Sequence, residues 1–198
     1  MTPPNPLERA LGDPGDPPMR PLPPAVTALL LRLQAPPRLA AHLRAVHDVA
    51  HELAGWTREH CPGLPLDREA VLFGAATHDI GKTVHEAELS GPGSAHEEAG
   101  RELLLAHGFP AELARFAGTH ASWARPAVTT EELLVSTADK VWKNKRVPDL
   151  EDRLVARLAE ANGTSRWEEF LALDDVLGRI GEQAGRRLAF QASFPVRG

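Results

Sequence analysis

The chain has 198 residues, a formal net charge of −5 and one cysteine, Cys61. This length allows one domain with a substantial core, the negative charge argues against an extensive nucleic-acid-binding surface, and a single cysteine excludes a disulfide within the chain. The longest apolar run, near residues 28–31, is too short to cross a bilayer, and the first residues lack the pattern of a secretory signal. We therefore expect a cytoplasmic protein that does not enter a membrane.

The first 24 residues contain half of the 18 prolines and are predicted to form a disordered arm. From residue 25 onward, segments with helical periodicity alternate with proline and glycine breaks, so the predicted fold class is all-α. Residues 25–198 are predicted to form a single domain in which the helices over 149–191 serve packing or dimerisation. The predicted helices span 25–34, 37–59, 67–80, 94–107, 110–122, 130–146, 149–162 and 166–191.

The second predicted helix contains three histidines in the segment HLRAVHDVAHELA. Helical spacing from His42 leads to an apolar stripe, whereas the same spacing from His47 leads to polar residues. The positions 4, 8, 11 and 12 residues after His42 are Val46, Ala50, Leu53 and Ala54, and those after His47 are His51, Gly55, Arg58 and Glu59. The periodicity favours His42 as the inward-facing histidine, with His47 as the alternative.

The third predicted helix ends in FGAATHDIGK, where small apolar residues lead directly to His78 and Asp79. An ionised carboxylate is costly to bury unless it is paired or bound to a metal. The sequence therefore predicts that this helix either reaches the surface here or meets a cation.

Three more polar residues lie on or beside apolar helical faces: His96 in SAHEEAG, His120 in FAGTHASW and Asp139 in LLVSTADKVW. A lone histidine in such a place is usually an ordinary buried or surface group, but five such placements in one small domain favour a common site. Ser94 with Glu97 predicts a capping box at the start of the helix that carries His96. The segment 83–93 is predicted to be a mobile loop beside the site.

The order H…HD…H…H…D resembles that of the HD-domain metal-dependent phosphohydrolases, over roughly residues 38–146. HDIGK is the most specific part of the resemblance, followed by ADK after an apolar run. The resemblance implies a helical bundle that binds two metal ions, with Asp79 as the bridging ligand. The implied ligands are His42, His78, Asp79, His96, His120 and Asp139.

Within that family, the pattern is most similar to the dinuclear branch that includes bacterial dinucleoside-tetraphosphate hydrolases. The interval from the His-Asp pair to His96 is shorter than in that branch and the first interval is longer, so the substrate is not carried over. Imidazole and carboxylate ligands without thiolates favour Fe, Mn or similar divalent ions, and Zn, Ni, Co and Mg are also compatible.

Two lysines are predicted to bind the substrate. Lys82 lies one helical turn beyond Asp79, and we assign it to phosphate binding and charge stabilisation; the alternative is an exposed lysine at a helix end. Lys143 lies four residues after Asp139 and shares its helical face, with a solvated helix end as the alternative.

The predicted function is a metal-dependent phosphohydrolase, with Asp79 and Lys82 as catalytic residues, that cleaves a phosphoester or phosphoanhydride of a nucleotide by metal-activated water. One alternative is a di-iron oxygenase of the same fold, which the lysine of HDIGK argues against. The other is a non-catalytic regulatory module, which the full set of ligand positions argues against. The expected partner is a small phosphorylated molecule, and a homo-oligomer stays open.

Overall fold

The computed structural model describes residues 4–196, and every regular element in that range is helical, which confirms the predicted all-α class. Two short 3-10 helices, Ile80–Thr83 and Glu86–Leu89, connect α4 to α5. The helices are α1 (Pro6–Gly12), α2 (Pro24–Arg32), α3 (Pro37–His60), α4 (Arg68–Thr77), α5 (Ala95–Ala106), α6 (Ala111–Thr119), α7 (Thr130–Val141), α8 (Pro148–Asn162), α9 (Arg166–Glu182) and α10 (Ala184–Ala192).

The longest helix, α3, is the centre of the bundle and packs against α1, α4, α7 and α10. It begins at Pro37, where a proline costs least because the first helical N–H has no partner within the helix. The predicted apolar stripe after His42 is fully buried in the core, from Val46 to Ala54. Burial of this stripe fixes the rotation of α3 and turns His42 toward α4 and α7.

Helix α4 is buried along most of its length. Asp67 caps its first turn by accepting a hydrogen bond from the backbone N–H of Ala70 at 3.0 Å. A Cβ on Gly74 would lie 2.6 Å from the ring of Phe116, so the missing side chain lets α4 and α6 approach closely. The end of α4, and the polar residues that follow it, are thereby held inside the bundle.

The prediction of a disordered N-terminal arm is wrong for residues 4–24. Asn5 and Glu8 form a capping box at the start of α1, and Leu7 and Leu11 are buried. The buried guanidinium of Arg44 then donates to backbone carbonyls on both sides of the following turn. Proline content suggests disorder on composition alone, but a proline in the first turn of α1 is compatible with a helix. Residues 1–3 of the predicted arm lie outside the described residues.

Several predicted helices end earlier than their sequence patterns indicate. The segment predicted as one helix over 166–191 is two helices that meet at Gln183. The sequence does not reveal the junction, because both helices carry apolar residues at helical spacing and no proline separates them. Helices α4, α6 and α7 end at residues 77, 119 and 141 rather than at 80, 122 and 146. Across residues 4–196, none of the helices has the length and apolar character that a membrane span requires.

Candidate metal centre

The six predicted ligands converge in the interior of the bundle, although they come from five helices or helix ends. All six are buried. They form two groups, and in each group one nitrogen or oxygen atom per residue lies within 4.8 Å of those of the other two. The first group is His42, His78 and Asp139, and the second is Asp79, His96 and His120.

Two of the histidines are held in the same way at the ends of their helices. His78 follows α4 and its Nδ1 lies 2.9 Å from the carbonyl oxygen of Ala75, three residues earlier. His120 follows α6 and its Nδ1 lies 3.0 Å from the carbonyl oxygen of Ala117. Because a carbonyl only accepts, each Nδ1 carries the proton and each Nε2 is left free to bind a cation.

Asp79 stands between the two groups. After His78 the chain leaves the α-helical conformation, with Asp79 at φ −105° and ψ 12°. One carboxylate oxygen, Oδ2, lies 3.1 Å from Nε2 of His42. The other, Oδ1, lies 3.1 Å from Nε2 of His96 and 3.5 Å from Nε2 of His120. Each oxygen therefore faces a different histidine group, which is the arrangement a bridging ligand needs.

The donor atoms fit divalent metal ions. A neutral His78 ring presents a lone pair at Nε2, which faces Nε2 of His42 at 3.2 Å and Oδ1 of Asp139 at 3.3 Å. Electron-rich atoms this close repel one another unless a proton or a cation lies between them. In the second group, the buried Nε2 of His96 has no hydrogen-bond partner among the described residues. Nitrogen and carboxylate ligands without sulfur suit Fe, Mn, Zn and related ions.

The charges in the site depend on one another. Burial alone would raise the pKa of Asp79, but the nearby His78, His42 and His96 hold this pKa well below its usual range. Burial likewise would lower the pKa of His78, but the two neighbouring aspartates raise it. His78 and the two carboxylates thus favour the charged form of one another.

Two glycines let α5 lie directly on the turn after Asp79. A Cβ on Gly81 would overlap the carbonyl oxygen of His96. A Cβ on Gly100 would lie 3.1 Å from the backbone nitrogen of Gly81. This close packing brings His96 against Asp79.

The predicted capping box at Ser94 is wrong. Ser94 occupies the cap position of α5, but within residues 4–196 its side chain makes no capping hydrogen bond. The carboxylate of Glu88 takes that role and accepts from the backbone N–H groups of Ala95 and His96, both at 3.1 Å. Glu88 also lies 2.5 Å from Nδ1 of His96. No spacing in the sequence signals these contacts, because they depend on the path of the intervening loop, and whether that loop is mobile stays a prediction.

The site opens onto a pocket of about 250 Å³ that contains both predicted lysines. Nζ of Lys82 lies 2.5 Å from Oδ2 of Asp79, and Lys143 lies at the pocket edge above Trp142. The pocket is lined by Arg38, His42, Asp79, Lys82, Leu89, Trp142, Lys143, Leu188 and Gln191. Sequence reasoning missed Arg38 and predicted that the segment forming α10 serves packing or dimerisation. Two larger depressions, of about 490 and 430 Å³, are lined by other residues, so size alone does not identify the site.

The structure places His42, and not His47, with the other candidate ligands. Neither ligand group formed by residues 4–196 includes His47, which is buried near Asp48 and Arg20. His51 is half-buried and contacts Arg68.

Comparison with curated proteins and with solved structures finds no match. Nothing therefore assigns the chain to the dinucleoside-tetraphosphate hydrolase branch that its motif spacing resembles. The family model described as "HD domain" matches residues 39–159, which is more than half of the chain and contains all six candidate ligands. The chain therefore belongs to the HD-domain family, within the superfamily of metal-dependent phosphohydrolases.

Proposed function

We propose that this protein is a metal-dependent phosphohydrolase that cleaves a phosphoester or phosphoanhydride of a nucleotide. The position of Asp79 carries the proposal. Its two oxygens face two separate histidine groups, and Lys82 lies against the same carboxylate on the side of the pocket. A substrate phosphate entering the pocket would meet both the ligand groups and a cation.

The six ligands would hold two divalent ions, one in each group and both in contact with Asp79. Bound ions at this position would supply Lewis acidity for activating water and for neutralising charge on phosphate oxygens. The chain's own contribution is to fix the ligands before a substrate arrives. Backbone carbonyls orient His78 and His120, and the buried core stripe orients His42.

Three cationic side chains line the pocket and support a phosphorylated substrate. Nζ of Lys82 lies against Asp79 at the pocket, so a phosphoryl group bound beside Asp79 would lie next to a positive charge. Arg38 and Lys143 line the same pocket and would bind further anionic groups. Removing a preorganised donor at the reacting group, the role proposed for Lys82, typically costs about 10²–10³ in kcat.

The pocket also has an apolar wall, which supports an organic part in the substrate such as a nucleoside. Leu89, Trp142 and Leu188 provide this wall. The same six ligands could serve a di-iron oxygenase, but three cations around the entrance favour a phosphate-bearing substrate over a neutral one.

The proposal is tested by loading the protein with Mn²⁺ or Fe²⁺ and measuring phosphate release from nucleoside mono-, di- and triphosphates, with oxygen consumption by the Fe²⁺ form measured in parallel. We expect His42→Ala to reduce phosphate release at least about 100-fold, because losing a group that merely orients a ligand already costs 10–100-fold. His47→Ala, five residues further along α3, is the matched control and should stay within a few-fold of wild type.

Circular dichroism of both variants checks that helical content is kept. Oxygen consumption without phosphate release would overturn the hydrolase in favour of the oxygenase. Equal losses in the two histidine variants would instead contradict the assignment of His42.

A further inference from the structure

We propose that Glu88 is a positioning residue for the second metal ion, and that it holds the His96 ring so that Nε2 faces Asp79. This inference depends on the metal binding proposed above but not on the reaction. It assigns a role in the metal centre to the loop between α4 and α5.

The carboxylate of Glu88 makes three contacts with the start of α5. Its Oε2 lies 2.5 Å from Nδ1 of His96 and accepts from the backbone N–H of the same residue at 3.1 Å. Its Oε1 accepts from the N–H of Ala95 at 3.1 Å. Because an ionised carboxylate only accepts, the His96 proton is held on Nδ1 and the Nε2 lone pair is directed at the site.

The position of His96 in its helix explains why a side chain, and not a backbone carbonyl, must accept the hydrogen bond from its Nδ1. His78 and His120 each follow a helix, so a carbonyl three residues earlier accepts from Nδ1. His96 lies in the first turn of α5, and the residue three positions earlier is Gly93, outside the helix. Glu88 therefore supplies from the loop the acceptor that the helix supplies to the other two histidines.

The loop is built to leave room for this carboxylate. Gly93 has φ +153°, a conformation that side chains disfavour, and a Cβ at this position would overlap the Glu88 carboxylate. Gly93→Ala should therefore displace the acceptor without changing Glu88 itself. It provides a second, independent way to perturb the contact.

The expected effect is confined to one of the two ions. Removing a carboxylate that orients a metal-bound histidine typically lowers metal affinity 10–100-fold. His96 belongs to the group with Asp79 and His120, whereas the first group takes its ligands from α3, α7 and the end of α4. The first ion should therefore keep its affinity when Glu88 is changed.

The test is calorimetric titration of Mn²⁺ into the metal-free full-length protein. Wild type should bind two ions, and Glu88→Ala and Gly93→Ala should each bind one ion normally and the other 10–100-fold more weakly. Glu88→Gln should show a smaller loss, because its amide oxygen still accepts from Nδ1 without the charge. Glu98→Gln, on the exposed side of the same helix and paired with Arg101, is the matched control and should behave as wild type.

Because Glu88 also caps α5, the thermal unfolding of each metal-free variant is measured alongside. A purely structural role predicts a lower melting temperature for Glu88→Ala with both ions bound as in wild type, and that result would overturn the proposal. An equal loss of affinity for both ions in Glu88→Ala, or a wild-type protein that binds fewer than two ions, would overturn it as well. Absence of phosphate release from every nucleotide would count against the proposed hydrolase alone, since the Mn²⁺ titration needs no substrate.

Discussion

His47 is buried in α3, outside both ligand groups, in surroundings that disfavour its charged form. His47 is only 4% exposed, and its Nδ1 has no hydrogen-bond partner within residues 4–196. Burial lowers the pKa of His47 to about 4, and the nearby Asp48 opposes this only in part. His47 therefore stays neutral in the folded protein under mildly acidic conditions.

This depressed pKa predicts a loss of stability in acid. An unfolded histidine titrates near 6.5, so between about pH 6.5 and pH 4 the unfolded state binds a proton that the folded state does not. Stability should fall through this window as pH decreases, by up to about 1.4 kcal/mol per pH unit from this residue. Urea unfolding of the metal-free protein across this pH range should show a shallower pH dependence for His47→Gln than for wild type. Above pH 7, the free energy of unfolding should depend on pH equally in the two proteins. An equal pH dependence between pH 6.5 and pH 4 as well would contradict the burial of a neutral His47.

The position of a site residue could be predicted where helical periodicity surrounds it. It could not be predicted where the residue reaches the site through a loop or through a contact distant in sequence. The apolar stripe from Val46 to Ala54, which predicts an inward-facing His42, is buried. Glu88 contacts His96 eight positions later in the chain, and Arg38 contacts a carbonyl 156 residues away. Neither contact leaves a local signal in the sequence.

At the level of elements, α1 shows that a prediction of disorder from amino-acid composition alone can be wrong. Its segment is rich in proline, yet Leu7, Ala10 and Leu11 are buried against neighbouring helices. The contacts that hold it come from Arg44 in α3, which donates to the carbonyls of Ala10 at 2.8 Å, Asp13 at 2.7 Å and Met19 at 3.1 Å. The order of the N-terminal segment is thus a tertiary effect, which periodicity within the segment does not report.

The dependence of α1 on Arg44 is directly testable. Arg44→Met would keep much of the side-chain volume but leave buried carbonyls without donors, and each hydrogen bond to a charged group contributes roughly 1.5–3 kcal/mol. We expect the free energy of unfolding to fall by about 2–4 kcal/mol, and limited proteolysis to cut within the first 20 residues earlier than in wild type. Arg32→Met, at an exposed position in α2, is the control. A loss under about 0.5 kcal/mol, with unchanged cleavage, would show that α1 is held by its apolar contacts instead.

At the scale of the whole molecule, the pocket beside the ligand groups is assembled from segments that are far apart in the chain. Arg38 begins α3, and its Nε donates to the carbonyl of Phe194 at 3.0 Å. Its backbone N–H donates to the carbonyl of Pro195 at 3.1 Å. These bonds tie the end of α10 to the start of α3, so Leu188 and Arg38 line the pocket together. The described C-terminal residues therefore contribute to the site rather than only covering the core.

If Arg38 binds a substrate phosphate or another anionic group, its removal should weaken binding more than chemistry. A charge-assisted hydrogen bond contributes about 1.5–3 kcal/mol, so Arg38→Ala should raise KM roughly 10–100-fold. The value of kcat should change little, because the interaction is present before and during the reaction.

Steady-state kinetics of the Mn²⁺-loaded enzyme, with metal stoichiometry measured on the same samples, provides the comparison. Arg38→Lys should recover part of the loss, since it restores the charge without the fork of donors. Lys145→Ala removes an exposed cation of the same basic segment as Lys143, and it should leave KM unchanged. A fall in kcat with KM unchanged in Arg38→Ala would instead place this guanidinium at the reacting phosphate.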